Sequence, residues 1–228
     1  MSINQMVATN IQSIATNGLV AYLDAGLSAS YSGSGSTWVD LVGGDNNGTL
    51  QNSPTYSTNN NGYFTFNGTN QWVTLNGSPL NATNYTKCVW FYLNGTADNN
   101  LLSYDQATNG HYMFFGSTST MYCGHSSWPG FPNTFGSVTT FSNSTWYNAT
   151  LTFNTTDGMT LYINGVYDSA YTTTKTAPVY IGVNVGSYDP AGGNFLNGRV
   201  AQALIYNRTL TAAEVRQNFA ATRGRFKI

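Results

Sequence analysis

The chain has 228 residues, with eight basic and nine acidic side chains and a formal net charge of −1. Charged residues make up 7% of it, against roughly 25% in an average soluble domain. This excludes an electrostatic nucleic-acid binder, which needs clustered cations to displace counterions. Charge-driven disorder is excluded too, because 41% hydrophobic and 14% aromatic residues suffice for a sizeable core.

In chain order, residues 1–17 lack a strand pattern and read as an N-terminal arm, followed by one domain over 18–228. Met1–Met6 carries neither Lys nor Arg nor a long apolar run, so no signal peptide is expected. Apolar runs such as Ala203–Tyr206 are too short to insert in a membrane. Leu19–Leu23 is apolar between Gly18 and Asp24, and Tyr63–Phe66 and Gln71–Leu75 both end on Asn-Gly. Tyr85–Leu93 alternates so that Cys88, Trp90 and Tyr92 share one face and Val89, Phe91 and Leu93 the other. Two apolar faces predict a central strand between layers. Met159–Ile163, Asn164-Gly165 and Val166–Asp168 predict a hairpin, since Asn-Gly supplies the positive φ angles of a type I′ turn.

A helix is predicted after Thr211-Ala212-Ala213-Glu214, which reads as a capping box, with Val215 and Phe219 as its apolar stripe and Gly224 at its end. Many short strands and one late helix give an all-β, two-sheet antiparallel jelly-roll sandwich with one short C-terminal helix. Cys88 and Cys123 are open to both a disulfide and two buried free thiols. With His111 and His125 they lack zinc-finger spacing, so no metal or cofactor is assigned.

Several blocks in order resemble the laminin-G-like branch of the concanavalin A-like lectin/glucanase jelly rolls. They are Gly18–Ala25 with Thr37–Leu41, Asn46–Leu50, Phe64–Asn70, Trp146–Asn148 leading into Leu161–Val166, Phe195–Val200, and Ile205–Val215. Tyr22–Gly26 and Ala221–Phe226 further resemble domains of tailed-bacteriophage virion proteins. That resemblance implies a decoration or adhesion module on a virion surface, assembled in the host cytoplasm, with other virion proteins and copies of itself as partners. The laminin-G-like resemblance also implies a structural calcium ion, for which Asp24, Asp45, Asp105 and Asp189 are candidates. Arg199-Val200-Ala201-Gln202 departs from it, because related endings often carry an acid after Asn-Gly.

Catalysis is expected to be absent. Retaining glycosidases need two carboxylates about 5–5.5 Å apart, and Glu214 is the sole glutamate. A polysaccharide lyase with His111 or His125 as base and a tyrosine is the enzymatic alternative; both histidines also read as plain strand residues. A free-standing lectin is the other alternative. Carbohydrate binding needs only an aromatic face and a few amides or hydroxyls on a stiff loop. The Pro-rich stretch Ser126–Phe135 offers Trp128, Phe131, Asn133 and Phe135, and a second loop, 184–194, offers Tyr188 and Asp189. Five of the eight cations, Arg208, Arg216, Arg223, Arg225 and Lys227, gather near the C-terminus. They are candidates for docking onto an acidic partner, beside their reading as helix-end charges.

Overall fold

In the computed structural model, the described residues are 13–95, 99–104, 110–116, 118–126, 133–172, 177–178, 181–188 and 193–228. The strands are β1 (Leu19–Asp24), β2 (Thr37–Trp38), β3 (Gly48–Gln51), β4 (Thr55–Ser57), β5 (Tyr63–Asn67), β6 (Trp72–Leu75), β7 (Asn84–Leu93), β8 (Asn99–Asn100) and β9 (Leu102–Ser103). They continue with β10 (Gly110–Phe115), β11 (Thr120–Ser126), β12 (Thr134–Thr140), β13 (Trp146–Asn154), β14 (Gly158–Ile163), β15 (Val166–Tyr171), β16 (Asn184–Val185) and β17 (Asn197–Tyr206). One α-helix, α1 (Ala212–Thr222), follows. Among the described residues, no helix is long and apolar enough to cross a membrane.

The large sheet runs β15-β14-β13-β7-β17-β5-β4, with β1 also paired to β17. The second layer consists of a five-stranded sheet, β2-β3-β6-β16-β9, and a four-stranded sheet, β12-β11-β10-β8. The pairing is antiparallel throughout, and a Tyr104–His111 bridge joins the two smaller sheets. This is the predicted sandwich. β7 lies at its centre, paired with β13 and β17. Its Val89, Phe91 and Leu93 enter the core between the layers, with Phe64, Phe115 and Leu151. Cys88, Trp90 and Tyr92 point the other way, as the alternation predicted.

That outer face is covered by α1 and the chain ends. The capping box forms: Thr211 accepts from the Glu214 N–H, and Glu214 accepts from the Thr211 N–H. Phe226 stacks on Trp90 at 4.1 Å and lies 4.6 Å from Trp146. Residues 13–17 pack here too, so this part of the expected arm belongs to the body. Ala15 is buried, its N–H donates to Asn218 Oδ1, and its carbonyl accepts from the Tyr206 hydroxyl. Residues 1–12 lie outside the described residues. The C-terminal segment is tied to the first strand by a nearly buried ion pair. Arg225 Nη1 lies 2.7 and 2.9 Å from the two Asp24 oxygens, while Nε and Nη2 donate to the carbonyls of Asn60 and Gly62.

Two local predictions hold in detail. Asn164 and Gly165 have φ of 50° and 75°, giving the hairpin between β14 and β15. Cys88, on the outer face of the large sheet, and Cys123, facing the core from β11, are buried free thiols, which settles the open alternatives. One prediction fails: Phe135 does not belong to a loop, because Thr134–Thr140 forms β12, with Phe135 opposite Cys123. β12 is held to the large sheet by Asp168, which accepts from the N–H groups of Val138 and Thr139.

The core between the layers contains one polar cluster. Lys87 faces inward from β7, fully buried, and donates to the Leu102 carbonyl at 2.8 Å and to His111 Nδ1 at 3.0 Å. His111 Nε2 in turn donates to the Gly182 carbonyl at 2.8 Å, which fixes its tautomer. His125 stands opposite His111 in the ladder, and its Nε2 lies 2.5 Å from the Tyr85 hydroxyl. Burial pushes the Lys87 pKa down to about 7 and that of His111 well below its usual value. It pushes Cys123 up to about 12 and raises Tyr85 further above its usual range.

Two predictions follow from these contacts. Arg225→Met leaves Asp24 charged and enclosed, and should cost about 3 kcal/mol or more in urea unfolding, with loss of near-UV signal from Trp90 and Trp146. The second concerns pH. Below its folded pKa, Lys87 is charged in both states and the folded protein bears the full burial penalty. Between pH 7 and the unfolded value the unfolded chain binds more protons, so stability rises with pH. Above pH 9 the thiols and then Tyr85 ionise only in the unfolded chain, which reverses the trend. The urea midpoint should therefore climb from pH 7 to 9, worth on the order of 1–2 kcal/mol, and Lys87→Met should flatten the climb.

Candidate functional site

Among the described residues, the sequence-predicted sugar contacts Phe135 and Tyr188 are not brought together. Trp128, Phe131 and Asp189 lie outside the described residues. Asn133 contributes its carbonyl to the His125 N–H. Phe135 is half-buried against the core, its ring parallel to that of Tyr171 on β15 at 6.1 Å. Tyr188 lies beside Tyr112 at 5.8 Å and borders a small recess with Asn100, Phe114 and Asn194. Phe135 and Tyr188 therefore flank opposite edges of the four-stranded sheet.

The basic cluster is also divided. Arg208 is bonded bidentately to Glu214, at 3.0 and 2.6 Å, and Arg225 to Asp24. Neither is a free docking charge. The Arg208 guanidinium, with the Thr211 contacts, holds the Glu214 pKa at about 2. Arg216, Arg223 and Lys227 remain exposed. Of the calcium candidates, Asp105 and Asp189 lie outside the described residues, and Asp24 has both oxygens engaged by Arg225. Among the described residues, no three His, Cys, Asp or Glu side chains come together as a metal site. His111 and His125 are 0% and 1% exposed, so neither meets a polymer from solution in this conformation.

A cavity that sequence reasoning missed opens at the end of the five-stranded sheet. It measures about 510 Å³, and its lining includes Thr74, Asn76, Ser78, Tyr104, Ile181 and Gly182. Thr74 comes from β6, whose alternation sends Val73 and Leu75 into the core and Thr74 outward. The next turn supplies Asn76 and Ser78, with Asn76 Oδ1 accepting from the Thr49 hydroxyl at 2.8 Å. Tyr104 follows β9, and Gly182 lies just before β16. A Cβ on Gly182 would stand 3.0 Å from the Tyr104 ring, so glycine is what lets the ring lie against the backbone.

The described lining suits this cavity to a polar, uncharged ligand. Among the described residues that line it, the Tyr104 phenol is the one ionisable group. Asn184 stands opposite Thr74 in the ladder and faces the same way without lining the cavity; it is fully buried, with no partner for Oδ1 or Nδ2 among the described residues. The floor is rigid, because the Gly182 carbonyl is held by His111 and through it by Lys87. Asn76-Gly77 carries a turn signature, which drew attention to backbone shape and not to a site. Tyr104 stands next to residues far away in sequence, and nothing local marks it.

A family model of the concanavalin A-like lectin/glucanases superfamily, Laminin_G_3, matches residues 67–216. No curated protein shows significant sequence similarity. Among solved structures, the Trypanosoma rangeli sialidase in complex with sialic acid superposes with a TM-score of 0.68 at 15% identity, over 95% of this chain and 35% of the sialidase. The chain thus spans about a third of the sialidase length. Domain 4 of AbnA, a GH43 extracellular arabinanase from Geobacillus stearothermophilus solved with arabinotriose, gives 0.71 at 15% identity, over 89% of this chain and 98% of that domain. A botulinum neurotoxin type C structure, described as depending on two ganglioside molecules for cell entry, gives 0.70 at 12% identity, over 90% and 51% of the two chains. At such identities these structures share the fold alone. The sandwich and the family match over residues 67–216 lead to one assignment: the chain belongs to the concanavalin A-like lectin/glucanases superfamily.

Proposed function

We propose that this protein is a non-catalytic carbohydrate-binding jelly roll, and that it takes a neutral glycan in the Tyr104 cavity. The observation that carries the reading is the chemistry of the described lining: among these residues it offers one aromatic ring, two hydroxyls and an amide, with no charged group. A sugar ring presents axial C–H groups to an aromatic face and hydroxyls to amides and hydroxyls, so a shallow site of this composition suffices. Placement on rigid strand ends keeps the cost of ordering low. Sialic acid, arabinotriose and gangliosides in the structures of similar fold support a sugar as the ligand. The interior position of both histidines supports the non-enzymatic part.

Display on a virion surface is the biological setting we propose, supported by the likeness of Tyr22–Gly26 and Ala221–Phe226 to phage virion domains. The exposed Arg216, Arg223 and Lys227 are then the charges left for a neighbouring virion protein.

A glycan array provides the test. The full chain should bind a restricted set of neutral glycans, and Tyr104→Ala should weaken that binding about tenfold or more while leaving the unfolding midpoint nearly unchanged. Binding that survives Tyr104→Ala at full strength places the site elsewhere. An array without any bound glycan overturns the carbohydrate reading.

A further inference from the structure

We infer that the outer face of the large sheet holds a second ligand site, for the carboxylate of an acidic sugar, anchored by Arg199. The sugar part rests on the carbohydrate-binding reading above; the carboxylate part stands on Arg199 itself.

Strict alternation along β17, with Ala203 and Ile205 facing the core, would send Arg199 inward. The register against β7 instead shifts between Val200 and Gln202, a one-residue bulge at Ala201. Val200 takes the inward position opposite Phe91, and Arg199 emerges on the outer face opposite Tyr92. Bulges commonly re-aim a side chain beside a functional site. Here the guanidinium carbon comes to rest 4.2 Å from the Tyr92 ring centroid and 5.0 Å from that of Tyr63.

Ring contacts hold the cation but cannot satisfy its N–H groups, which lie in the guanidinium plane. Arg199 Nε is buried, and among the described residues nothing accepts from it. Among the described residues, the ion pairs are Arg208–Glu214 and Arg225–Asp24, so no carboxylate reaches Arg199. A half-buried cation with an unfilled buried Nε donor is costly unless an acceptor completes it.

Space for that anion is present. A cavity of about 640 Å³ lies against Arg199, lined also by Asn59, Asn61, Tyr63, Arg225 and Lys227, and no acidic residue is among its described lining. Its volume falls within the roughly 300–1,000 Å³ of small-molecule sites, which is more than a carboxylate alone requires. The wall is stiff: Asn60 Nδ2 donates to the Arg225 carbonyl at 2.9 Å, and Arg225 returns the bond to the Asn60 carbonyl. The Arg225 charge is neutralised by Asp24, leaving Arg199 and Lys227 as the unpaired cations. Arginine's planar fork matches a carboxylate, and the amides of Asn59 and Asn61 suit sugar hydroxyls.

The test titrates the full chain with glucuronate, with methyl glucoside as neutral partner and sulfate as free anion, following arginine Nε–H signals by NMR. Glucuronate should shift the Arg199 signal with a Kd on the order of 1 mM, and methyl glucoside and sulfate should bind distinctly more weakly. Arg199→Gln should weaken glucuronate about tenfold and Lys227→Glu about threefold or more, while Tyr104→Ala leaves it unchanged. Equal binding of methyl glucoside or of sulfate, or an unchanged affinity in Arg199→Gln, overturns the inference. If Arg199→Gln fails to fold, Lys227→Glu decides, and unaltered glucuronate binding there overturns it equally. Glucuronate bound through Arg199 by a chain that ignores every neutral glycan would sink the Tyr104 site and leave this one standing.

Discussion

The contact between Asp24 and Arg225 joins the two ends of the sandwich, and much of the outer face depends on it. Asp24 closes β1; Arg225 comes 201 residues later, just past the helix. Gln202 Nε2 and the Gly26 N–H complete the carboxylate, so one group gathers β1, β17, the turn around Asn60 and the C-terminal segment. Such a pair offsets its desolvation only when nearly every donor and acceptor is met, and here they are. Its position sets Phe226 over Trp90 and Trp146. With that cover in place, β7 and β17 are buried on both faces, and the large sheet can serve as the middle layer of three.

The parts of the fold that depend on local chemistry were legible in the sequence. Asn164-Gly165 dictates its turn because only positive φ angles fit, and Thr211 with Glu214 dictates a helix start because their side chains satisfy free N–H groups. The alternation of β7 announced its central position, since a strand with water on one face would not place Trp90 opposite Val89 and Phe91. What pattern could not show was phase. A single extra residue at Ala201 reverses the direction of Arg199, and no sequence signature marks that bulge. His111 and His125 looked like candidate bases for the same reason: a strand residue's type does not reveal which face it occupies. Lys87, on the inward face with Tyr85 and Val89, breaks the apolar pattern it belongs to, and its partners come from strands 15 and 24 residues away.

The candidate sites were hidden by distance in the chain. Tyr104, Asn76 and Gly182 form one cavity only because β6, β9 and β16 are neighbours in one sheet. The Ser126–Phe135 stretch had the composition of a sugar-binding loop, yet Phe135 was drawn into a ladder opposite Cys123, where its ring fills the edge between layers. Composition identifies what a segment can present to solvent. Strand pairing decides which side chains are left to be presented.

Scarcity of charge takes on a physical meaning once the charges are located. Among the described residues each ion pair is structural, fixing the helix start or the C-terminal cover, and Lys87 lies inside the core. No acid among the described residues pairs with Arg199, and Glu214 and Asp24 are engaged with Arg208 and Arg225. In a protein dense in surface charges, an unpaired arginine would be screened by mobile neighbours and would discriminate little. On a surface of amides and hydroxyls it dominates the local potential, and low-dielectric walls such as Tyr63 and Tyr92 concentrate that potential further. A nearly neutral chain can therefore be selective for charge at one point. The bulge at Ala201 is the feature that puts the arginine there.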